Sequence, residues 1–468
     1  MDDFLREIQT SLFREWINNQ KRDYYHLHQS ETDPDAIIIE NEYCYSYVTF
    51  NPQCIIELCV MNKRTDEMAF YLHFQFKTLK HAISLFEEMD QCIKKMIDQP
   101  ICRLLLCCSG GMTTAFFADK IKNGIKVLNL NMEVAATSYQ KIYNVAQNYD
   151  VILLAPQVSY VKLQVEKVFK NKLVLKIPTQ IFASYNVGAL ITFIEESLKH
   201  KENKYNGYVE PLASMMEIKT NKNVLAVSIN ANGENSHISY RLYNSHQDIV
   251  LDSNIIKSNI KLQDVLDALD TVVLQNEMID VISIALPGVM VEGNVYSGII
   301  EGGNHQLKER LEKRYEKEIY LINDVNAAVV GYYASQNEYK SLAFLFQPIG
   351  RMAGSGIIVS GQLIRGMDHL AGEVALLPLN LSDAYLTLAN TPEGTLELVT
   401  KNIMSIIAIV APEAIVVYSD LILDSQDVSD EIKKSLSQYS LKVYPKIIKV
   451  ENILEYILLG AMILSAKE

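Results

Sequence analysis

An apolar run, Ile101-Cys102-Arg103-Leu104-Leu105-Leu106-Cys107, stops at Cys108-Ser109-Gly110-Gly111-Met112-Thr113-Thr114, and a helical stretch from Ala115 to Lys122 follows at once. Strand, small-residue loop and helix start, in that order, build a cradle of backbone N–H groups aimed at an anion. A cysteine at the mouth of such a cradle has its thiolate favoured by the positive end of the helix dipole. Side chains alternate across a strand, so Cys107 points to the opposite side and reads as core. Cys108 therefore reads as a nucleophile that carries phosphate. The alternative is a small buried residue at a strand end.

The alternation continues over residues 100–200. Apolar strands are expected at 103–107, 126–131, 151–155 and 173–177, with helices between them and a closing helix over 189–198. This pattern predicts a small parallel sheet with helices on both faces. Its working loops lie at the C-terminal ends of the strands, where Cys108 and Pro156-Gln157 both fall. Residues 1–99 read as an α+β unit of unassigned role. It holds an amphipathic helix through Leu5, Ile8, Leu12 and Trp16, strands at 36–39, 43–50, 54–61 and 68–76, and a second helix through Leu79, Ile83, Phe86, Met89, Ile93 and Met96. Residues 201–222, with Asn206-Gly207, read as a linker. Residues 223–468 alternate strand clusters with long helices, as a two-lobed α/β domain with a cleft does.

The length, 468 residues, allows several domains with sizeable cores. A net charge of −13 argues against a broad basic surface for nucleic acid. The start, Met1-Asp2-Asp3-Phe4-Leu5-Arg6-Glu7, puts acids ahead of any apolar core, unlike a signal peptide. No uninterrupted apolar segment reaches about 18 residues, so a cytoplasmic location is expected. All seven cysteines lie at or before Cys108 and form no C-x-x-C pair, which suits reduced, buried thiols rather than a zinc site. His26, His28, His73 and His81 show no ligand spacing, and neither metal nor cofactor is expected.

Residues 100–200 resemble the enzyme IIB component of the lactose/cellobiose branch of the sugar phosphotransferase system. The resemblance rests on the Cys108–Thr114 loop and on Asp150-Val151-Ile152-Leu153-Leu154-Ala155-Pro156-Gln157-Val158-Ser159-Tyr160. The family shows a cysteine, two small residues, Gly-Met and then Ser/Thr, and its later strand ends in a Gly/Ala-Pro-Gln step. The resemblance implies that Cys108 accepts phosphate from a phosphohistidine carrier of the IIA kind and passes it to a sugar at a membrane permease. The residue types suit that task. A thiolate attacks phosphorus, and donors from Ser109, Gly110, Gly111, Met112, Thr113 and Thr114 take up the charge on the oxygens. Low-molecular-weight tyrosine phosphatases use a similar loop with arginine where Thr114 stands, so phosphate carriage is expected rather than phosphoester hydrolysis.

Residues 223–468 resemble the ROK family of sugar kinases and repressors, within the actin/hexokinase-like fold. The matching residues are Ala285-Leu286-Pro287-Gly288, Asn323-Asp324-Val325-Asn326-Ala327-Ala328, Gly354-Ser355-Gly356-Ile357-Ile358-Val359-Ser360-Gly361, Leu370-Ala371-Gly372-Glu373 and Leu458-Leu459-Gly460-Ala461. By that resemblance Asp324 matches the base that deprotonates a sugar hydroxyl, and Asn323 and Glu373 match sugar contacts. A helix N-cap or turn residue is the other reading of Asp324.

The ATP-holding elements depart from the family. Its Asp-x-Gly-Gly-Thr loop reads Ser228-Ile229-Asn230-Ala231-Asn232 here, and its Gly-Thr-Gly-x-Gly loop reads Gly350-Arg351-Met352-Ala353-Gly354. Glycine-free Tyr418-Ser419-Asp420 follows the late strand, and the family's histidine three residues after the glutamate is Leu376. The family's zinc-binding cysteines are absent. The expectation is a degenerate domain that binds a sugar or sugar phosphate, or only a protein partner, without acting as an ATP-dependent kinase. ROK-like domains commonly pair, so the resemblance also implies a homodimer.

Together these readings describe a cytoplasmic phosphotransferase-system protein with phosphate on Cys108 and a sugar-sensing or scaffold domain. The alternative is a non-catalytic regulatory protein that binds a sugar or a partner. A repressor ranks low, because the β-rich segment 1–99 does not resemble a winged helix-turn-helix.

Overall fold

The structure is a computed structural model that describes residues 3–63, 66–97, 102–108, 112–128, 130, 132–169, 172–202, 220–232, 235–291, 294–296, 300–301, 307–367, 370–422, 424–437 and 444–467. The chain divides into two compact units. One comprises Met1–Met61, Met68–Cys92 and Lys204–Glu468, and the other Asn62–Glu67 and Ile93–Asn203. Most of the expected linker, 203–219, lies outside the described residues. Among the described residues no helix is long and apolar enough to cross a membrane.

The chain opens with helix α1 (Asp3–Asn18), strands β1 (His26–Gln29), β2 (Ala36–Glu40), β3 (Cys44–Asn51), β4 (Ile55–Asn62) and β5 (Glu67–Gln75), and helix α2 (Leu79–Ile97). The four expected strands are present. β1, short and polar, carries no apolar signal and is additional. The expected stripe of α1 is on the wrong side, since Leu5, Ile8 and Leu12 are 48%, 45% and 50% exposed. The helix buries Phe13 and Ile17 instead. The Phe13 ring meets Trp16, Phe50 and Phe76, and that aromatic contact outweighs the aliphatic stripe.

The second unit holds β6 (Cys102–Cys108), α3 (Met112–Val127), β7 (Met132–Ser138), α4 (Ile142–Val145), β8 (Val151–Leu154), α5 (Lys162–Val168), β9 (Leu173–Lys176), α6 (Thr179–Ser184) and α7 (Val187–Glu202). Its four strands are parallel in the order β7-β6-β8-β9. β8 is wholly buried and β6 nearly so, as their continuous apolar runs predict. The strand expected at 126–131 is displaced to β7. Phe117, Ile121 and Ile125 keep a helical period that carries α3 through Val127, while the half-exposed β7 has too weak a pattern to be read as a strand.

The last segment begins with β10 (Val224–Asn232), β11 (Asn235–Tyr243), β12 (Ile249–Lys257), β13 (Ile260–Lys261), α8 (Leu262–Gln275), β14 (Val281–Leu286), β15 (Val289–Val291), β16 (Asn294–Tyr296), β17 (Ile300–Glu301), α9 (Leu307–Tyr315), β18 (Glu318–Asn323) and α10 (Asp324–Ala334). It continues with β19 (Leu342–Phe346), β20 (Gly354–Val359), β21 (Gln362–Leu363), α11 (Tyr385–Leu388), α12 (Pro392–Val410), β22 (Ala414–Tyr418), α13 (Ser425–Ser437), β23 (Lys446–Lys449) and α14 (Leu454–Lys467). One pattern occurs twice. β12-β11-β10-β14-β18 and β21-β20-β19-β22-β23 each pair three antiparallel strands with two parallel ones. These are the two lobes. α10 and α14 pack backbone to backbone. A Cβ on Gly331 would lie 2.0 Å from the Tyr456 carbonyl oxygen, and one on Gly460 1.8 Å from that of Ala327.

The first segment, read from sequence as a unit of its own, extends the sheet of the first lobe. β5 joins β12 at Tyr71–Ile256, giving a ten-stranded sheet that runs from β1 to β18. Side chains hold the joint. Lys77 Nζ reaches Asp267 at 2.6 Å and Asp270 at 2.5 Å, and buried Lys257 reaches Glu88 at 2.5 Å and Asp264 at 2.6 Å. His73 Nε2 lies 2.5 Å from the Tyr240 hydroxyl, and burial pushes the His73 imidazole down to about 4. Near neutral pH it is therefore uncharged and tolerated at the joint.

Candidate functional sites

Cys108 ends β6. Across the sheet Cys107 is in register with Leu154, and the Ala155 N–H donates to the Cys107 carbonyl at 2.8 Å, so the Ala155-Pro156-Gln157 step stands beside Cys108. The chain leaves β6 toward β7 on one side and places β8 on the other. The strand order therefore reverses here, which is where open parallel sheets place their ligands. α3 starts at Met112. Cys108 is 4% exposed and lies in the apolar core of this unit. Burial, with Cys108 adjacent, pushes the Cys107 thiol up to about 12, so Cys107 stays protonated as a core residue. Ser109, Gly110 and Gly111 lie outside the described residues, as do the side chains of Met112, Thr113 and Thr114. None of the seven cysteines forms a disulfide.

The second site is a cleft of ≈ 520 Å³. The first lobe contributes Asn230, Pro287, Gly288, Asn323 and Asp324, all at the C-terminal ends of the adjacent parallel strands β10, β14 and β18. The second lobe contributes Phe346, Pro348, Gly350, Arg351, Met352, Glu373 and Leu386. The three residues expected at a sugar site, Asn323, Asp324 and Glu373, are thus gathered in one cleft. Asn323, not Asp324, is the N-cap of α10: its Oδ1 accepts from the N–H groups of Val325 and Asn326 at 3.1 and 3.0 Å. Its Nδ2 donates to the Gly288 carbonyl at 3.2 Å.

Asp324 is 3% exposed. Burial pushes its carboxyl up to about 7. The Val325 N–H opposes that shift and the charge of Glu373 adds to it. Burial also raises Glu373. A carboxyl balanced near neutrality suits a general base or a proton-sharing ligand contact. Glu373 is held by its neighbour Gly372, at φ +93°, where a Cβ would lie 1.7 Å from the Ser355 carbonyl oxygen. Among the described residues no three His, Cys, Asp or Glu side chains gather to hold a metal ion.

The loop from Gln347 to Gly354 is tied to the protein itself. The Gly350 N–H donates to the Ala389 carbonyl at 3.0 Å and the Ala353 N–H to the Tyr385 hydroxyl at 3.1 Å. That hydroxyl donates to Gln347 Oε1 at 2.9 Å, and Gln347 Nε2 donates to the carbonyls of Pro348 and Arg351, each at 2.9 Å. An anion cradle needs several N–H groups turned toward the ligand. Here two are already used and Met352, 52% exposed, stands among them. Sequence reading did not find Gln347 or Tyr385, because neither sits in a motif and their roles follow from tertiary contact. It also missed Asn230 as a cleft residue. Asn230 is 4% exposed, and among the described residues its Oδ1 has no hydrogen-bond partner.

Residues 103–192 match the family "PTS system, Lactose/Cellobiose specific IIB subunit", and residues 233–395 match the ROK family. No curated protein matches the chain. Among solved structures, a ROK family protein from Streptococcus pneumoniae TIGR4 in complex with sucrose is 17% identical with a TM-score of 0.42, over 52% of this chain and 98% of that one. A ROK hexokinase from Thermus thermophilus is 15% identical with a TM-score of 0.43, over 52% and 99%. The lactose-specific IIB component domain of the phosphotransferase system from Streptococcus pneumoniae is 20% identical with a TM-score of 0.20, over 20% and 96%. The chain thus carries in one polypeptide a lactose/cellobiose-type phosphotransferase IIB domain and a ROK family domain.

Proposed function

We propose that this chain is a phosphotransferase-system protein that carries phosphate on Cys108 and reads a sugar in its ROK domain without phosphorylating it. The observation that carries the reading is the position of Cys108: at the end of β6, at the strand-order reversal, beside Ala155-Pro156-Gln157, with α3 beginning after three intervening residues. The donor is a phosphohistidine carrier of the IIA kind. The thiolate attacks phosphorus, the P–N bond breaks as the S–P bond forms, and the leaving imidazole takes up a proton. Ser109, Gly110, Gly111, Met112, Thr113 and Thr114 are the groups that receive the phosphate oxygens. A membrane sugar permease is the next acceptor, and a cytoplasmic location goes with partners of this kind.

The ROK domain is a degenerate kinase in this reading. Its phosphate loop is closed onto Gln347 and Tyr385 while Asn323, Asp324 and Glu373 share the cleft. No nucleotide cofactor is needed. Pairing of two copies through this domain is part of the proposal.

Labelled phosphoenolpyruvate with the general phosphotransferase proteins and a IIA carrier tests it. Label should reach the chain and be absent from C108S. Equal label on C108S overturns the proposal. A second reading, a regulatory protein that binds sugar or partners without chemistry, is favoured by one observation: Cys108 is only 4% exposed. Absence of label on the intact chain selects that reading.

A further inference from the structure

We propose that the ROK cleft takes an uncharged disaccharide, with one ring at Asn323, Asp324 and Glu373 and the second in the space beside Asn230, Met352 and Leu386. The inference rests on the sugar-reading function proposed above and assigns its ligand class. Four features of the cleft support it.

The first is size. The cleft, ≈ 520 Å³, lies within the range of about 300–1,000 Å³ that accommodates drug-sized ligands, and a single pyranose ring leaves much of it unfilled.

The second is charge. The described lining holds two carboxyls, Asp324 and Glu373, against one cation, Arg351. A phosphorylated sugar or a nucleotide would bring further negative charge to that lining, whereas hydroxyl groups can donate to both carboxyls.

The third is the character of the half that a nucleotide would fill. Two of its loop N–H groups are spent, on Ala389 and Tyr385, so anion donors are few. In their place stand the apolar surfaces of Pro348, Met352 and Leu386, with Met352 and Leu386 52% and 53% exposed. The C–H faces of a sugar ring suit such surfaces.

The fourth is Asn230. Among the described residues its buried Oδ1 has no hydrogen-bond partner, and such an oxygen costs free energy until a donor reaches it. A hydroxyl of a second ring is such a donor. Asn230 stands where the kinases of the resembling family keep glycine, so its side chain narrows the approach to phosphate.

Calorimetry on the full chain tests the assignment with cellobiose and lactose, their component hexoses glucose and galactose, the corresponding hexose 6-phosphates, and ATP. At least one disaccharide should bind about tenfold or more tighter than its component hexoses, and the phosphates and ATP should bind more weakly still. N230L should reduce the disaccharide-over-hexose preference by about tenfold. M352W, at an exposed position that tolerates bulk, should reduce it as well by filling the second ring's space. Equal affinity for disaccharide and hexose, tighter binding of a 6-phosphate or ATP, binding of none of these sugars, or an unchanged preference in M352W overturns the inference. Phosphoryl labelling of Cys108 is read separately, so failure here is distinct from failure of phosphate carriage.

Discussion

The two candidate sites occupy the same kind of position and are finished differently. Each lies where a parallel strand hands over to a helix. At Cys108 three residues separate β6 from α3, whereas at Asn323-Asp324 strand and helix meet with none between. The second junction is fixed from every side: by the Asn323 cap, by β20 closing on Val325, and by α14 against α10 through Gly331 and Gly460. A carboxyl so fixed is pre-organised and buried, and its proton affinity rises accordingly. In the function proposed above Cys108 would have to admit two different partners in turn, yet it is 4% exposed in the core of its own unit.

The largest expected effect is at Cys108. C108S should lose all phosphoryl label; since Cys108 is 4% exposed in an apolar core, burying a hydroxyl there should cost about 1–3 kcal/mol, and far-UV circular dichroism of C108S should match the parent to show that the variant still folds.

Next in size is the rigid junction. G460V should destabilise the protein by about 3 kcal/mol or more in urea unfolding, because a Cβ there would meet the Ala327 carbonyl oxygen at 1.8 Å. A loss below about 1 kcal/mol would show that α10 and α14 can separate, so that their packing does not fix the Asn323-Asp324 junction.

The third effect is a pH dependence. Asp324 titrates near 7 when folded and lower when unfolded, so between those values the native state holds the extra proton. Stability from this group is fully present below the unfolded value and is lost as pH rises through about 7, with a slope approaching 1.4 kcal/mol per pH unit. D324N should flatten that slope. An unchanged slope would place the titration elsewhere.

The smallest effect is Y385F, which removes the hydroxyl joining the Ala353 N–H to Gln347 and should cost about 1–2 kcal/mol. Nucleotide binding gained by Y385F would mean that this one hydroxyl keeps the loop shut.

Much of this was legible in the sequence. Continuous apolar runs marked β6, β8 and β9, and local motifs marked Cys108, Asn323 and Asp324 at their strand ends and Glu373 outside any strand. The misreadings have physical causes. A helix with two apolar stripes, as in α1, is oriented by what its aromatic rings meet, which composition does not state. A half-exposed strand such as β7 lacks the run that marks a buried one. The self-closed loop depends on Gln347 and Tyr385, which lie far apart in sequence, and no local pattern encodes their hydrogen bond. The loss of the glycine at position 352, where Met352 stands, was readable. What replaced its function was not.

The shared ten-stranded sheet also constrains how the chain is made. β5 is complete about 170 residues before its partner β12 begins. At ribosomal rates of about 5–20 residues per second, the N-terminal strands wait roughly 10–35 s for that neighbour. During the wait they present an open edge while the parallel-sheet unit is synthesised. Each nascent chain therefore passes through a stage in which a finished meander lacks its partner, and that interval is when the protein is most exposed to pairing with the wrong strand.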